Sequence, residues 1–181
     1  AVVMSKLLQI SCGAIYTDGG DSLEFDIKHR YKVLREVIDE SSKKVLVFVP
    51  FKHVIDVLTN KLRRDGITTE IIRGDVPATQ RTNIFKRFQE NDNPKVLVIQ
   101  PQSAAHGVTL TAANTVVWWG PTSSLETYAQ ANARVHRSGQ DQKCTIVQLQ
   151  GSTVEKRVYA LLDNRINVHT KMIDLYNEII D

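Results

Sequence analysis

Cysteine is scarce in this sequence: 181 residues contain two, Cys12 and Cys144, far apart and without a Cys-x-x-Cys pair or a histidine cluster. A disulfide scaffold and a zinc-ribbon framework are therefore excluded, and the expected setting is a reducing, intracellular one: cytoplasm, or nucleus in a eukaryote. Long apolar runs are missing as well. None approaches the roughly 20 residues that cross a bilayer, and the amino terminus lacks a charged-then-apolar leader, so membrane and secreted readings drop out. Strong charge of one sign is missing too: the net charge is +3 and the sequence pI about 8.9, mildly basic and compatible with nucleic acid without demanding it. Internal repeats and low-complexity linkers are absent. A further absence bears on chemistry. No Gly-x-x-x-x-Gly-Lys-Ser/Thr stretch occurs, so these residues carry no phosphate-cradling loop of their own.

What is present is ordinary material for one soluble domain, with 42% hydrophobic and 24% charged residues. AVVMSKLLQISCGAIY has apolar residues at helical spacing up to Gly13, and YTDGGDS reads as a loop. Ile27, Tyr31, Leu34 and Ile38 mark an amphipathic helix ending near Ser41. The chain then alternates. KVLVFV (44–49), ITTEII (67–72), KVLVIQ (95–100), NTVVWWG (114–120) and CTIVQLQ (144–150) read as strands, all but the short ITTEII carrying the apolar, β-branched signature of buried parallel strands. Helices are predicted from about Phe51 to Arg64, around Gln80 to Gln89, and through the segment starting near Gln130. From Thr153 to about Ile180 the spacing predicts one long helix, capped by Ser152 or Thr153 with Glu155 close behind. Strands alternating with helices predict an α/β fold: a parallel sheet flanked by helices on both faces.

In such a sheet ligands gather at the carboxyl edge of the strands, where the loops around Pro50, Arg73, Gln100 to Gly107 and Gly120 leave it. The stretch QANARVHRSGQ (130–140), read as part of the helix that follows the Gly120 loop, puts Gln130, Arg134 and Arg137 on one stripe, expected to aim at that edge of the sheet. Two stacked guanidiniums repel, and they match phosphate oxygens bidentately, so an anionic partner is one reading. A solvated charged face is the other, and for an unselected arginine pair it is the commoner one. Spacing alone leaves both open. Trp118 and Trp119 offer faces for stacking on a base, although the end of a buried strand predicts core for at least one. EVIDE (36–40) imitates the end of a magnesium-binding strand, but the helical period through Tyr31, Leu34 and Ile38 rules it out. Arg73-Gly74-Asp75 is a cheap match to an adhesion tripeptide with nothing secretory beside it.

Taken in order, these stretches resemble a known family. QANARVHRSGQ resembles the sixth motif of the Swi/Snf-like ATPases of helicase superfamily two, with Gln130, Ala131, Arg134, His136, Arg137, Gly139 and Gln140 all in place. VLVFVPF (45–51) resembles the fourth motif, and IRGDVPATQR (72–81) the segment after it, with Gly74 and Arg81. HGVTLTAANTVV (106–117) resembles the fifth motif, with Gly107, Leu110, Thr111 and Ala113. GSTVEKRV (151–158) is similar to the segment opening the terminal helix, and SKLLQISCG (5–13) to the one joining the two ATPase lobes. Two positions depart: Gln102-Ser103-Ala104-Ala105 replaces the usual Arg-Ala-Gly-Gly, and Gly120 stands where an Asp commonly ends the strand.

The resemblance implies the second of two RecA-like lobes, residues 25–181, preceded by a helical interlobe segment, residues 1–24. It implies ATP and Mg, the Mg held by the first lobe together with the phosphate loop. Arg137 is then the expected arginine finger on the γ-phosphate, Arg134 a second phosphate or interlobe contact, and Gln130 a polar organiser. Gly107 is expected to let backbone approach the nucleotide or the first lobe closely. His136 and Gln140 are expected to hold local structure. Lys52 and Gln102 are the candidate contacts to a nucleic-acid backbone. The implied partners are double-stranded DNA and the amino-terminal lobe, with the chain a monomer and inactive alone. A lobe reduced to binding protein or nucleic acid, or the equivalent lobe of an RNA helicase, is the alternative, and His136, Gly139 and Gln140 favour the Swi/Snf type over the last.

Overall fold

The computed structural model describes residues 2–17, 21–104, 107–166 and 171. Helix α1 (Val2–Cys12) is followed by a small antiparallel hairpin, β1 (Ala14–Tyr16) and β2 (Ser22–Glu24), within a stretch that carries no strand-length pattern in sequence. The rest alternates as the sequence predicts: α2 (Lys28–Glu40), β3 (Lys44–Phe48), α3 (Lys52–Arg64), β4 (Thr69–Ile72), α4 (Ala78–Glu90), β5 (Val96–Ile99), β6 (Ala113–Trp118), α5 (Leu125–Asn132), β7 (Thr145–Gln148) and α6 (Thr153–Asp163). A short 3-10 turn, Pro101–Ala104, leaves β5. The five long strands form one parallel sheet in the order β4-β5-β3-β6-β7.

The runs of β3, β5 and β6 form central strands because both faces of the sheet are covered there, whereas CTIVQLQ, expected to be equally buried, forms the edge strand β7 and is exposed or half-buried along its length. Along β3, Val45 and Val47 point into one core with Tyr31, Leu34 and Ile38 of α2 and Ile55, Leu58 and Leu62 of α3. Leu46 and Phe48 point into the other with Phe85 and Phe88 of α4, Tyr128 of α5 and Val158, Tyr159 and Leu162 of α6. Each fully buried side chain of this size contributes about 1.5–3 kcal/mol relative to exposure. Two faces of apolar burial therefore dictate the three-layer arrangement that the alternation implies.

Helix α1 is the exception to that layering. Met4 and Leu8 enter one core and Cys12 the other, so the helix lies across the end of the sheet. Ser5 and Leu8 share a cleft of about 90 Å³ with Pro50, Phe51, Gln102 and Pro121, all on loops leaving strand carboxyl ends. The edge expected to be open for ligands is thus partly roofed by the chain's own first helix.

Two helix expectations need correction. Helix α5 ends at Asn132, so Gln130, Arg134 and Arg137 do not share a helical stripe, and both arginines stand on the turns that follow. The chain must reverse there to reach β7, and Arg134 N donates to Ala131 O (3.2 Å) as the helix tightens. The carboxyl-terminal helix ends at Asp163, with Asn164 as its cap and Arg165 at φ 57°, a left-handed conformation that cannot continue a helix. The proposed continuation toward Ile180 falls mainly outside the described residues.

Candidate functional site

The turn that carries the arginines is built onto the entry of β6. Leu110 N donates to Arg134 O (3.0 Å), and the Gln140 side-chain amide donates to Ala113 O (2.7 Å), where β6 begins. Both arginines therefore sit toward the amino end of β6. The expectation that they aim at the carboxyl edge is overturned, because α5 starts at that edge and runs back before they occur.

Arg134 and Arg137 differ in environment. Arg134 is buried, with 6% of its surface exposed, and this burial, followed by the Arg137 charge, lowers its guanidinium below the ordinary arginine range. It stays protonated at any working pH. Arg137 is exposed, and its Nη1 donates to Gly107 O (3.1 Å) and Thr109 Oγ1 (3.3 Å). The two guanidiniums are brought together by a turn and not by a helix face. Gly107 is at φ 68° with open space where a Cβ would stand, so its requirement is conformational: a left-handed backbone that presents its carbonyl to Arg137.

The remaining candidates do not join this group. Gln130 donates along α5 to Glu126 Oε1 (2.9 Å). Lys52 opens α3 at the carboxyl edge, where its Nζ pairs with Asp75 (2.7 Å), and Asp75 also meets Arg73 Nε (2.8 Å). Hydrogen bonding from Lys52, with help from Arg73, holds the Asp75 carboxyl below its ordinary range. Gln102 is exposed on the 3-10 turn after β5, lining the cleft beneath α1. The structure thus forms two groups, Arg134, Arg137 and Gly107 toward the amino end, Lys52 and Gln102 at the carboxyl edge.

Both tryptophans are core. Trp118 and Trp119 are each 0% exposed, and their Nε1 atoms donate to Asn132 Oδ1 (2.9 Å) and Cys12 O (2.8 Å). Buried indoles need such partners, and the satisfied N–H groups leave neither ring facing a base. Sequence reasoning missed Thr109, which lies inside the fifth-motif stretch and was visible only as one of several threonines. It also missed Gln89, whose amide grips Thr111 Oγ1 (2.9 Å) and Ala112 N (3.1 Å) from α4. Among the described residues no group of three or more His, Cys, Asp or Glu could hold a metal ion.

A parallel sheet with helices on both faces, presenting two guanidiniums on a turn locked to a strand entry, defines a RecA-like lobe. Residues 29–139 match the family described as "Helicase conserved C-terminal domain", and the chain belongs to that family. It is the carboxyl-terminal lobe of a Swi/Snf-like member of helicase superfamily two. An ATP-dependent helicase of Schizosaccharomyces pombe is 29% identical over 141 residues, 77% of this chain and 14% of that protein. The CHD3-type chromatin-remodeling factor PICKLE of Arabidopsis thaliana is 26% identical over 183 residues, 91% of this chain and 13% of that protein. The crystal structure of the C-terminal part of the Fun30 ATPase domain superposes with a TM-score of 0.69 at 22% identity, over 74% of this chain and 45% of that one, a likeness of fold. The chain spans about a seventh of the length of these curated relatives.

Proposed function

We propose that this chain is the second motor lobe of an ATP-driven double-stranded-DNA translocase, contributing Arg137 and Arg134 to ATP held by a first lobe. The observation that carries the reading is the pairing of a buried guanidinium, Arg134, with an exposed one, Arg137, tethered to Gly107 O and Thr109 Oγ1. The donor set fits a triphosphate: planar, always-charged groups that match phosphate oxygens without a proton to lose. Stabilising charge on a transferring phosphoryl group in this way is worth about 10³ to 10⁵ in rate. ATP supplies the phosphoryl group, and its Mg belongs with the first lobe, as the family resemblance implies. The absence of a phosphate loop from these 181 residues accords with a chain that does not turn over ATP alone.

DNA enters this reading through phosphate contacts, which a translocase needs and base readout does not supply. Lys52 and Gln102, together at the carboxyl edge, are the contacts proposed. The names of relatives accord with this: one is an ATP-dependent helicase and another a chromatin-remodeling factor. In eukaryotes such a motor works in the nucleus.

The test is to join this chain to its phosphate-binding lobe and measure ATP hydrolysis with and without duplex DNA. DNA-stimulated turnover is expected, and Arg137→Ala should abolish most of it while the far-ultraviolet spectrum and melting temperature stay close to those of the parent. Unchanged turnover in that variant removes the finger assignment.

A further inference from the structure

We infer that Gln140 is the positioning residue for Arg137, acting through the donor end of its amide. This rests on the finger reading above and adds the part that holds the finger in place.

Between Val135 and Gln140 the chain makes a compact turn in which Arg137 N donates to Val135 O (3.1 Å) and Gln140 N donates to Arg137 O (3.0 Å). These backbone contacts close the turn, and Leu110 N, donating to Arg134 O (3.0 Å), docks its start ahead of β6. The Gln140 side chain anchors its far end. Its Nε2 donates to Ala113 O (2.7 Å), Thr111 O (3.4 Å) and Val135 O (3.4 Å), and its Oε1 accepts from Gln142 N (3.3 Å). One amide therefore joins the entry of β6, the turn before Arg137 and the segment after it. Three carbonyl oxygens converge on a single nitrogen, an arrangement that only a donor group tolerates.

The consequence for Arg137 follows from what its own side chain touches. Gly107 O and Thr109 Oγ1 lie only a few residues before Thr111 and Ala113, on the same run of chain that Gln140 grips. The amide thus fixes the backbone from which the guanidinium projects relative to the backbone on which it rests. Gln89 provides the internal comparison. It holds Thr111 Oγ1 and Ala112 N from α4, and neither of these bonds reaches the turn. Losing Gln89 loosens the same run, whereas losing Gln140 releases the turn as well. Misplacing a reacting group by about 1 Å costs roughly a hundredfold in rate, so a clamp at this place has a kinetic signature.

Three variants test the inference: Gln140→Ala, Gln140→Glu and Gln89→Ala. Gln140→Glu keeps the size of the side chain and replaces its donors by a carboxylate facing three carbonyls. In crystal structures of this chain, both Gln140 variants are expected to show Arg137 Nη1 out of hydrogen-bond range of Gly107 O, and Gln89→Ala to leave it in place. In the motor joined to its first lobe, kcat should fall about ten- to hundredfold in both Gln140 variants, with KM for ATP changed less than about threefold. Gln89→Ala should lower kcat less than about threefold. Arg137 remaining on Gly107 O in both Gln140 variants overturns the inference, as does full activity of Gln140→Glu or an equal loss in Gln89→Ala. Failure of the finger reading looks different: Arg137→Ala itself then turns over ATP normally, while the crystallographic comparison still decides whether Gln140 is the clamp.

Discussion

Arg30 and Glu155, 125 residues apart in sequence, form a 2.6 Å ion pair in which the carboxylate is fully buried and the guanidinium side chain 10% exposed. Glu155 Oε2 also accepts from Gly151 N (2.8 Å) and Ser152 Oγ (3.2 Å), while Ser152 Oγ in turn accepts from Glu155 N, so the pair is built into the amino-terminal cap of α6. Arg30 Nη1 donates to Trp119 O, and Ser11 Oγ donates to Ser152 Oγ (3.0 Å). One cluster thus ties α1, α2, the end of β6 and α6 together. Removing one partner of a buried pair strands the other charge and costs about 3–5 kcal/mol. Arg30→Met and Glu155→Gln are each expected to lower the urea midpoint accordingly, and the double variant to recover part of the loss. Single variants as stable as the parent would show that the cluster is not a structural keystone.

Gly120 and Cys12 are packed so closely that a Cβ on Gly120 would collide with the Cys12 sulfur. This is why the Asp common at this position in the family has no room here. Gly120→Ala should destabilise by about 1–3 kcal/mol through overpacking, and Cys12→Ala in the same chain should relieve it. Additive losses in a double-mutant cycle would contradict the contact.

The Cys12 thiol is pushed up to about 12 from an ordinary 9.0 by burial, against a lowering by the Arg30 charge and with a smaller raising by Glu155. It is therefore a thiol, not a thiolate, at neutral pH. Because the folded value lies above the unfolded one, its contribution to stability is complete below about pH 9 and is lost as pH rises from there toward 12. Cys144 is half-buried. At pH 8 an aromatic disulfide reagent should react with one thiol per native chain and with two after unfolding in urea. Rapid reaction of both native thiols would place Cys12 nearer the surface.

Trp118 stacks on Phe48 with ring centroids 4.8 Å apart and lies 4.8 Å from Tyr128. Fluorescence of the two indoles should be blue-shifted, poorly quenched by acrylamide, and unaltered by single-stranded DNA. Trp119→Ala should cost about 3–5 kcal/mol by emptying a core site and orphaning Cys12 O. Strong quenching by oligonucleotide would reopen the stacking reading.

The salt dependence of DNA binding tests the carboxyl-edge contacts. Each phosphate neutralised adds about 0.9 to the slope of log affinity against log salt. Lys52→Ala leaves Asp75 to Arg73 alone and should weaken duplex binding while reducing that slope by about one. A slope unchanged by the substitution would take Lys52 off the DNA.

Periodicity and composition were sufficient for the sheet and its flanking helices. KVLVFV and KVLVIQ admit no exposed face, and the spacing of Tyr31, Leu34 and Ile38 admits only a helix, so local pattern and global burial agree. The ordered stretch QANARVHRSGQ likewise identified the family, because identities at fixed positions survive whatever backbone carries them. Three things were decided only by packing in three dimensions. Helix α5 stops at Asn132 because the chain must turn back to β7, which removes the helical stripe and carries both arginines to the amino end of β6. Helix α1 partly roofs the carboxyl edge because Met4, Leu8 and Cys12 find burial there in both cores. Arg30 meets Glu155, and Gln140 meets Ala113, across separations that no local pattern records. Hydrophobic periodicity is a property of neighbours along the chain and is readable there. Hydrogen bonds between distant polar groups exist only once the sheet has assembled and excluded the water that would otherwise satisfy them.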